Sequence, residues 1–230
     1  MAERLAGLVR SGLLGKVHSV RAHYLQNWQL GAEESWRTDP ARSGGSRVLA
    51  DIGSHVMDLV EVMTGQWITS IEADFLTLRA TTLRSGADDV CIALARLSGG
   101  GVISLTLSQV SPGHMNTLAV EVDGDEGTAG WELGDRETLE LVRAADARRL
   151  RLDGHANPHR VSRLWRTPVD ADARITALFG AFYGPLLGTA TKSTTPLPSF
   201  TDAARHVALV DAAARRLITR PARAEDRDAG

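Results

Sequence analysis

The sequence predicts an α+β domain: a mostly antiparallel open sheet of about six strands, with helices on one face. Three observations carry this. Period-two segments run almost unbroken from Ile68 to Leu152, and the short turn-rich connections between them call for antiparallel neighbours. Helical patterns flank that run on both sides. Ile103, Leu105 and Leu107 alternate with Ser104, Thr106 and Ser108, which gives the strand one face to bury and one polar face.

The elements follow in chain order. Residues 3–13 have amphipathic helical spacing that ends at Gly15. "KVHSVRAHYLQNW" reads as a strand with Val20, Ala22 and Tyr24 on one face. Residues 29–46 are rich in Gly, Ser, Asp and Pro and read as a long loop. That loop holds Trp36 and Arg37, and Trp is an odd choice for a purely solvated segment. The stretch "GGSRVLADIGSHVMDLVEVMTG" predicts a helix over 47–64, capped by Ser46 and stopped by Gly65. Leu49, Ile52, Val56, Leu59, Val60 and Met63 fall on the side to be buried.

"ITSIEADFLTL" alternates as a strand, and three strand pairs follow, around Gly99–Gly101, around a Gly-Asp-rich turn near 124–127, and within "TLELVRAADARRLRLDG". "GHANPHRVSRLWRTP" is irregular, with His155 and His159 read as surface residues. Asp172 to about Leu187 is helical in pattern. Ser199 and Asp202 form an acidic variant of the capping box for a last helix, whose buried side reads as Ala204, Val207, Ala208 and Leu217. Residues 219–230 read as a disordered charged tail.

Composition excludes several classes. A 43% hydrophobic content over 230 residues is enough for a full core. A net charge of −2 with dispersed arginines argues against a nucleic-acid or polybasic membrane surface. No apolar run approaches the ~20 residues of a membrane span. The first residues lack the continuous apolar core of a signal peptide. The single Cys91 excludes a disulfide framework and a multi-cysteine zinc site. The expectation is a soluble cytoplasmic protein. Lys16 and Lys192 are its only lysines, which limits the candidates for a catalytic lysine.

Asp51, His55 and Asp58 form a polar stripe beside the apolar one. At i and i+4, Asp51 and His55 would have Cβ atoms ~5–6 Å apart. A carboxylate there can orient an imidazole and raise its basicity, the usual support for a general base near neutral pH. The plainer reading is a solvated helix face, and spacing by itself favours it. A metal site on the three residues would need further ligands, to which the sequence does not point.

The residues around the stripe change that balance. "WRTDPARSGGSRVLADIGSHVMDLVEVMTGQ" closely resembles the segment of Gfo/Idh/MocA oxidoreductases in which a Gly-Gly turn leads into Asp-x-Gly-x-His-x-x-Asp. The agreement covers Trp36, Arg37, Gly44, Gly45, Asp51, Gly53, Ser54, His55, Asp58 and Gly65. The "SGLLGKVHSV" entry, the strand run and the closing "PLPSFTDAARHVALVDAA" helix are similar too. The resemblance implies a C-terminal domain over 16–218, with residues 1–15 as a linking helix. It implies His55 as the general base that takes a hydroxyl proton, with Asp51 orienting His55 or binding the substrate hydroxyl. Trp36 and Arg37 would border the pocket. Gln26, Asn27 and Trp28 would reach a polyol or sugar, and for all five loop packing and solvation is an equal reading.

The family's other half is a Rossmann domain that holds NAD or NADP through a glycine fingerprint, and its catalytic lysine lies there. No such fingerprint follows a strand in this chain. Gly124, Gly127 and Gly130 have the wrong spacing and lead into a strand. The expectation is therefore the substrate-side half of an NAD(P)-dependent dehydrogenase of sugars, cyclitols or related alcohols, truncated and inactive alone. A non-catalytic interaction domain is the alternative. An open sheet face is a natural pairing surface, and the resemblance implies a homo-oligomer built on the 90–152 strands.

Overall fold

A computed structural model describes residues 2–31, 35–79, 85–133, 138–146, 149–153 and 199–218. Helix α1 (Ala2–Arg10) leads into strand β1 (Val17–Leu25). A 3-10 turn at Trp36–Thr38 and the short helix α2 (Pro40–Ser43) interrupt the expected loop. Next come a π-helical turn at Leu49–Gly53 and helix α3 (Ser54–Thr64). Seven strands follow: β2 (Ile68–Leu76), β3 (Val90–Leu97), β4 (Val102–Ser108), β5 (Thr117–Gly124), β6 (Gly127–Glu132), β7 (Thr138–Arg143) and β8 (Arg149–Asp153). Helix α4 (Phe200–Ile218) closes the described chain.

The sheet has eight strands in the order β2-β3-β4-β1-β5-β6-β7-β8. This corrects the expected count of about six, and the sheet is mixed. β1 lies parallel to β4 and antiparallel to β5, with Val20 opposite Ile103 and Val122. The meander is therefore not continuous. β1 is apolar on its inner side and enters the middle of the sheet, splitting the later strands into two groups. All other pairings are antiparallel.

Val20, Ala22, Ala93, Ala95, Ile103, Leu105, Val120 and Val122 bury one face of the sheet under α3. Leu5 and Ala6 of α1 are also fully buried, and α1 packs on α3. This explains why Met57, outside the expected stripe, is buried as well. α3 is covered from two sides. The opposite face of the sheet carries Arg21, Ile92, Leu94, Ser104 and Thr106, all exposed.

The start and stop signals around α3 behave as expected. The Ser46 hydroxyl accepts from Leu49 N–H at 3.2 Å. Gly65 takes a left-handed φ of 68° and closes the helix on the Glu61 carbonyl. Gly53 is needed for space: a Cβ there would stand 2.9 Å from Leu107 Cδ1 of β4.

In α4 the capping box forms, with Ser199 N–H donating to Asp202 Oδ2 at 2.9 Å and Asp202 N–H donating to the Ser199 hydroxyl at 3.2 Å. Its buried side is corrected. His206, Leu209, Val210, Ala213 and Ala214 face inward, while Ala204, Val207 and Ala208 are exposed. The reason is electrostatic: Glu61 of α3 accepts from Arg205 and lies 3.1 Å from His206 Nε2, which turns that polar edge of α4 inward. The expected helix at 172–187, His155, His159 and the tail at 219–230 lie outside the described residues. Among the described residues, no helix is long and apolar enough to cross a membrane.

Candidate functional site

Because β1 and β4 are parallel neighbours, their C-terminal ends deliver side chains to one edge of the sheet. Gln26 follows β1 and Gln109 follows β4. Their backbones interlock: Gln26 N–H donates to the Ser108 carbonyl at 2.8 Å, and Gln29 N–H donates to the Gln109 carbonyl at 3.2 Å. The Gly53–Leu107 contact presses the start of α3 against this same edge. Asp51 sits there, inside the π-helical turn.

That turn changes how Asp51 is used. A π turn carries more residues per revolution than an α turn and often marks functional sites. Among the described residues no hydrogen bond joins Asp51 and His55. Instead Asp51 Oδ2 accepts from Gln109 Nε2 at 2.6 Å. Asp51 and His55 are both exposed. Asp58 is half-buried and looks toward α4. Burial pushes its carboxyl above the ordinary range, opposed by the nearby charge of His206.

A row of uncharged polar groups extends from Gln109 along the edge. Gln26 Nε2 donates to Asn116 Oδ1 at 2.7 Å, and the Tyr24 hydroxyl donates to the same oxygen at 2.9 Å. Trp28 Nε1 donates to Gln26 Oε1 at 2.9 Å. Burial pushes the Tyr24 phenol above its ordinary range, and the charge of Asp51 adds to this. Beside the row, the Arg37 guanidinium lies 4.4 Å from the Trp36 ring centre and 6.0 Å from that of Trp28. The two rings remain 49% and 41% exposed. The structure thus brings Trp28, Trp36 and Arg37 into one stack and joins Gln26 to it through Trp28.

Beneath the edge lies a buried charged network. Arg47 pairs with Asp89 at 3.1 Å, and Arg79 reaches the same carboxylate oxygen at 3.1 Å. Asp88 accepts from the backbone N–H of Arg47 at 2.6 Å and of Val48 at 2.9 Å. It therefore caps the helical turn at 47–48 that leads through the π turn into α3, placing a negative charge where the helix dipole favours one. Burial lowers the Arg47 guanidinium from its ordinary value, and the Asp88 and Asp89 carboxylates oppose this. Gln109, Asn116, Asp88 and Asp89 were not found by sequence reasoning. The Asp-Asp pair ahead of β3 was the one available signal.

Among the described residues Asp51 and His55 stand on an exposed ledge. A concavity of about 360 Å³ lies between α4 and the α2–α3 junction, and one of about 470 Å³ lies on the open sheet face. Neither is lined by Asp51 or His55. No nucleotide cradle is formed by Gly124, Gly127 and Gly130. They lie in β5 and β6, where added Cβ atoms at the first two would strike the Leu14 and Val142 carbonyls. Among the described residues no cluster of His, Cys, Asp and Glu could hold a metal ion.

A sequence model of the GFO/IDH/MocA C-terminal domain matches residues 2–130. Levoglucosan dehydrogenase of Pseudarthrobacter phenanthrenivorans is 26% identical over 159 residues, covering 60% of this chain and 40% of that protein. The chain thus matches only 40% of that relative's length in sequence and about 60% in structure. An oxidoreductase domain protein from Kribbella flavida superposes with a TM-score of 0.74 at 25% identity, over 94% of this chain and 61% of that one. Levoglucosan dehydrogenase in complex with NADH and levoglucosan gives 0.70 at 24% identity, over 92% and 60%. An inositol dehydrogenase homologue from Azotobacter vinelandii, complexed with NAD+, gives 0.70 at 20% identity, over 94% and 60%.

Proposed function

The chain belongs to the Gfo/Idh/MocA oxidoreductase family through its C-terminal domain, and from that premise we propose that it forms the substrate-side half of an NAD(P)-dependent dehydrogenase acting on a neutral sugar, cyclitol or related alcohol. The supporting observation is the convergence of Asp51, Gln26 and Gln109 on one sheet edge beside the Trp28–Arg37–Trp36 stack. Amide groups offer the donors and acceptors that hydroxyls need. Exposed indole rings offer an apolar face for a sugar ring. Relatives solved with levoglucosan, L-sorbose and myo-inositol carry ligands of this chemistry.

In this reading the substrate hydroxyl meets Asp51, whose carboxylate holds only the Gln109 amide among the described residues. The contact with Gln109 favours Asp51 as the hydroxyl-binding group over Asp51 as the partner of His55. His55, exposed on the next turn, takes the hydroxyl proton as the carbon becomes a carbonyl. Trp28, Trp36 and Arg37 hold the ring, and Gln26 fixes a second hydroxyl. The described residues form no cradle for a dinucleotide. A nicotinamide held elsewhere would supply the hydride acceptor.

Ligand-observed NMR on the chain, with levoglucosan, L-sorbose and myo-inositol as probes, tests this. Saturable binding that Asp51→Asn and Trp36→Ala weaken is expected. No saturable binding of any of the three sinks the proposal. A second reading, a non-catalytic domain that pairs through its sheet, is favoured by Ile92 and Leu94, which stand 44% and 59% exposed on the outer face. It is separated from the first by the same experiment, because it predicts no polyol binding.

A further inference from the structure

Gln109 is 0% exposed, directly after the end of β4. Its amide is committed at both ends. The oxygen accepts from Arg47 Nη1 at 2.6 Å, and the nitrogen donates to Asp51 Oδ2 at 2.6 Å. A guanidinium can only donate. The amide therefore cannot be reversed: Arg47 holds its oxygen inward and so aims its N–H at Asp51. Arg47 is itself fixed. Its Nε donates to the Asp88 carbonyl at 3.0 Å and its Nη2 to Asp89 Oδ1 at 3.1 Å. Hydrogen bonds linked in series polarise one another.

We propose that Gln109 is a positioning residue. It occupies one oxygen of Asp51 and leaves the carboxylate fixed, with its remaining lone pairs available to a substrate hydroxyl. Gln109 Nε2 also stands 3.4 Å from Gln26 Oε1, so one buried amide spaces the carboxylate from the row that meets the rest of the substrate. This rests on the assignment of Asp51 to the substrate side made above. Placement of the acceptor is then set from inside the protein. Arg47, Asp88, Asp89 and Gln109 form a rigid support, and no residue of that support except Gln109 touches Asp51 through a hydrogen bond.

The test uses Gln109→Glu in the full chain. This variant keeps an acceptor for Arg47 and replaces the donor toward Asp51 with a second carboxylate oxygen. Two adjacent carboxylates repel until a shared proton restores a donor. Among the described residues the other charged or titratable groups around them are Arg47, Arg79, Asp88 and Asp89 on the buried side, and Tyr24 and His55 on the open side. His55 is common to native and variant, so the comparison is between the two proteins at each pH. Myo-inositol and levoglucosan binding are followed by ligand-observed NMR from about pH 5 to 8. Gln109→Glu is expected to bind about tenfold more weakly than native near pH 8, with the gap closing as pH falls, and any loss of melting temperature from the paired carboxylates recovering over the same range. A role in packing alone predicts a lower melting temperature and no pH-dependent gap, and that result overturns the proposal. Should the glutamate variant not fold, Gln109→Met, of similar length without a donor, is expected to lose the same affinity with no recovery at low pH. Native binding by both variants at every pH also overturns it. Asp51→Asn separates the two levels: if it binds as native, the substrate-side assignment of Asp51 fails, whereas if it alone loses binding, only the positioning role of Gln109 fails.

Discussion

At the scale of single residues, His55 and Ile52 lie three positions apart and face opposite requirements. Ile52 is buried against the sheet, whereas His55 is exposed and makes no hydrogen bond among the described residues. Ile52→Ala should cost ~2–5 kcal/mol, the range for emptying a packed aliphatic site. His55→Ala should leave the denaturation midpoint nearly unchanged. In an assembled dehydrogenase it should lower kcat by ~10²–10⁴-fold, as loss of a general base does. A His55→Ala protein with a clearly lowered denaturation midpoint and native turnover in its folded fraction would make His55 structural. Asp58 gives a pH-dependent counterpart. Its folded-state carboxyl is raised by burial, so its contribution is favourable at low pH and is lost as pH rises through the folded value. Asp58→Asn should therefore raise the melting temperature near pH 7. That advantage should vanish below the ordinary carboxylate range. An unchanged difference across the pH range would mean that the charge of His206 fully offsets the burial. Asp51 and His55 were legible in the sequence because a motif surrounds them. Gln109 was not, since a glutamine after "LTLS" has no spacing partner and its neighbours Asp51 and Arg47 come from distant segments.

At the scale of elements, apolar period and turn chemistry located each described strand and the major helices. What they missed was how polar contacts rotate or deform those elements. The π turn at Leu49–Gly53 lies between a start of helix held by Asp88 and a Gly53 packed close to Leu107. Neither partner is near in sequence. α4 shows the same effect more plainly. Its apolar residues suggested one face, yet the helix docks on another because Glu61 accepts from Ile68 N–H at 2.7 Å while also engaging Arg205 and His206. Glu61→Ala leaves these donors without their acceptor and should destabilise the protein by about 1–3 kcal/mol. Chemical denaturation would check this, and a loss no larger than for an exposed substitution would show that α4 is held by Val210 and Ala213 instead. Helix capping was read correctly at Ser46 and Ser199 because caps act within four residues.

At the scale of the molecule, one feature lay beyond local pattern: β1 entering between β4 and β5. Seven later strands look like a single meander until a strand from the other end of the chain is placed among them. That insertion makes the parallel pair whose ends form the candidate site. It also broadens the sheet, and with it the outer face that the described residues leave open. Ser19, Arg21, Glu121, Asp123 and Thr128 tie the middle of that face together, with Arg21 Nη1 to Asp123 Oδ2 at 2.6 Å and Thr128 Oγ1 to Asp123 Oδ1 at 2.8 Å. Ile92 and Leu94 flank them on β3 without cover among the described residues. A broad sheet face with apolar side chains beside satisfied polar ones suits self-association around a two-fold axis. The chain should therefore be a homo-oligomer at tens of micromolar. Leu94→Lys should shift it toward monomer, because a lysine head at the centre of such an interface must be desolvated without a partner. Folding should be unaffected, since Leu94 makes no part of the core. Light scattering on the native and variant chains decides the matter: a native chain that is strictly monomeric, or a Leu94→Lys chain that assembles as the native does, would show that this face is not the contact.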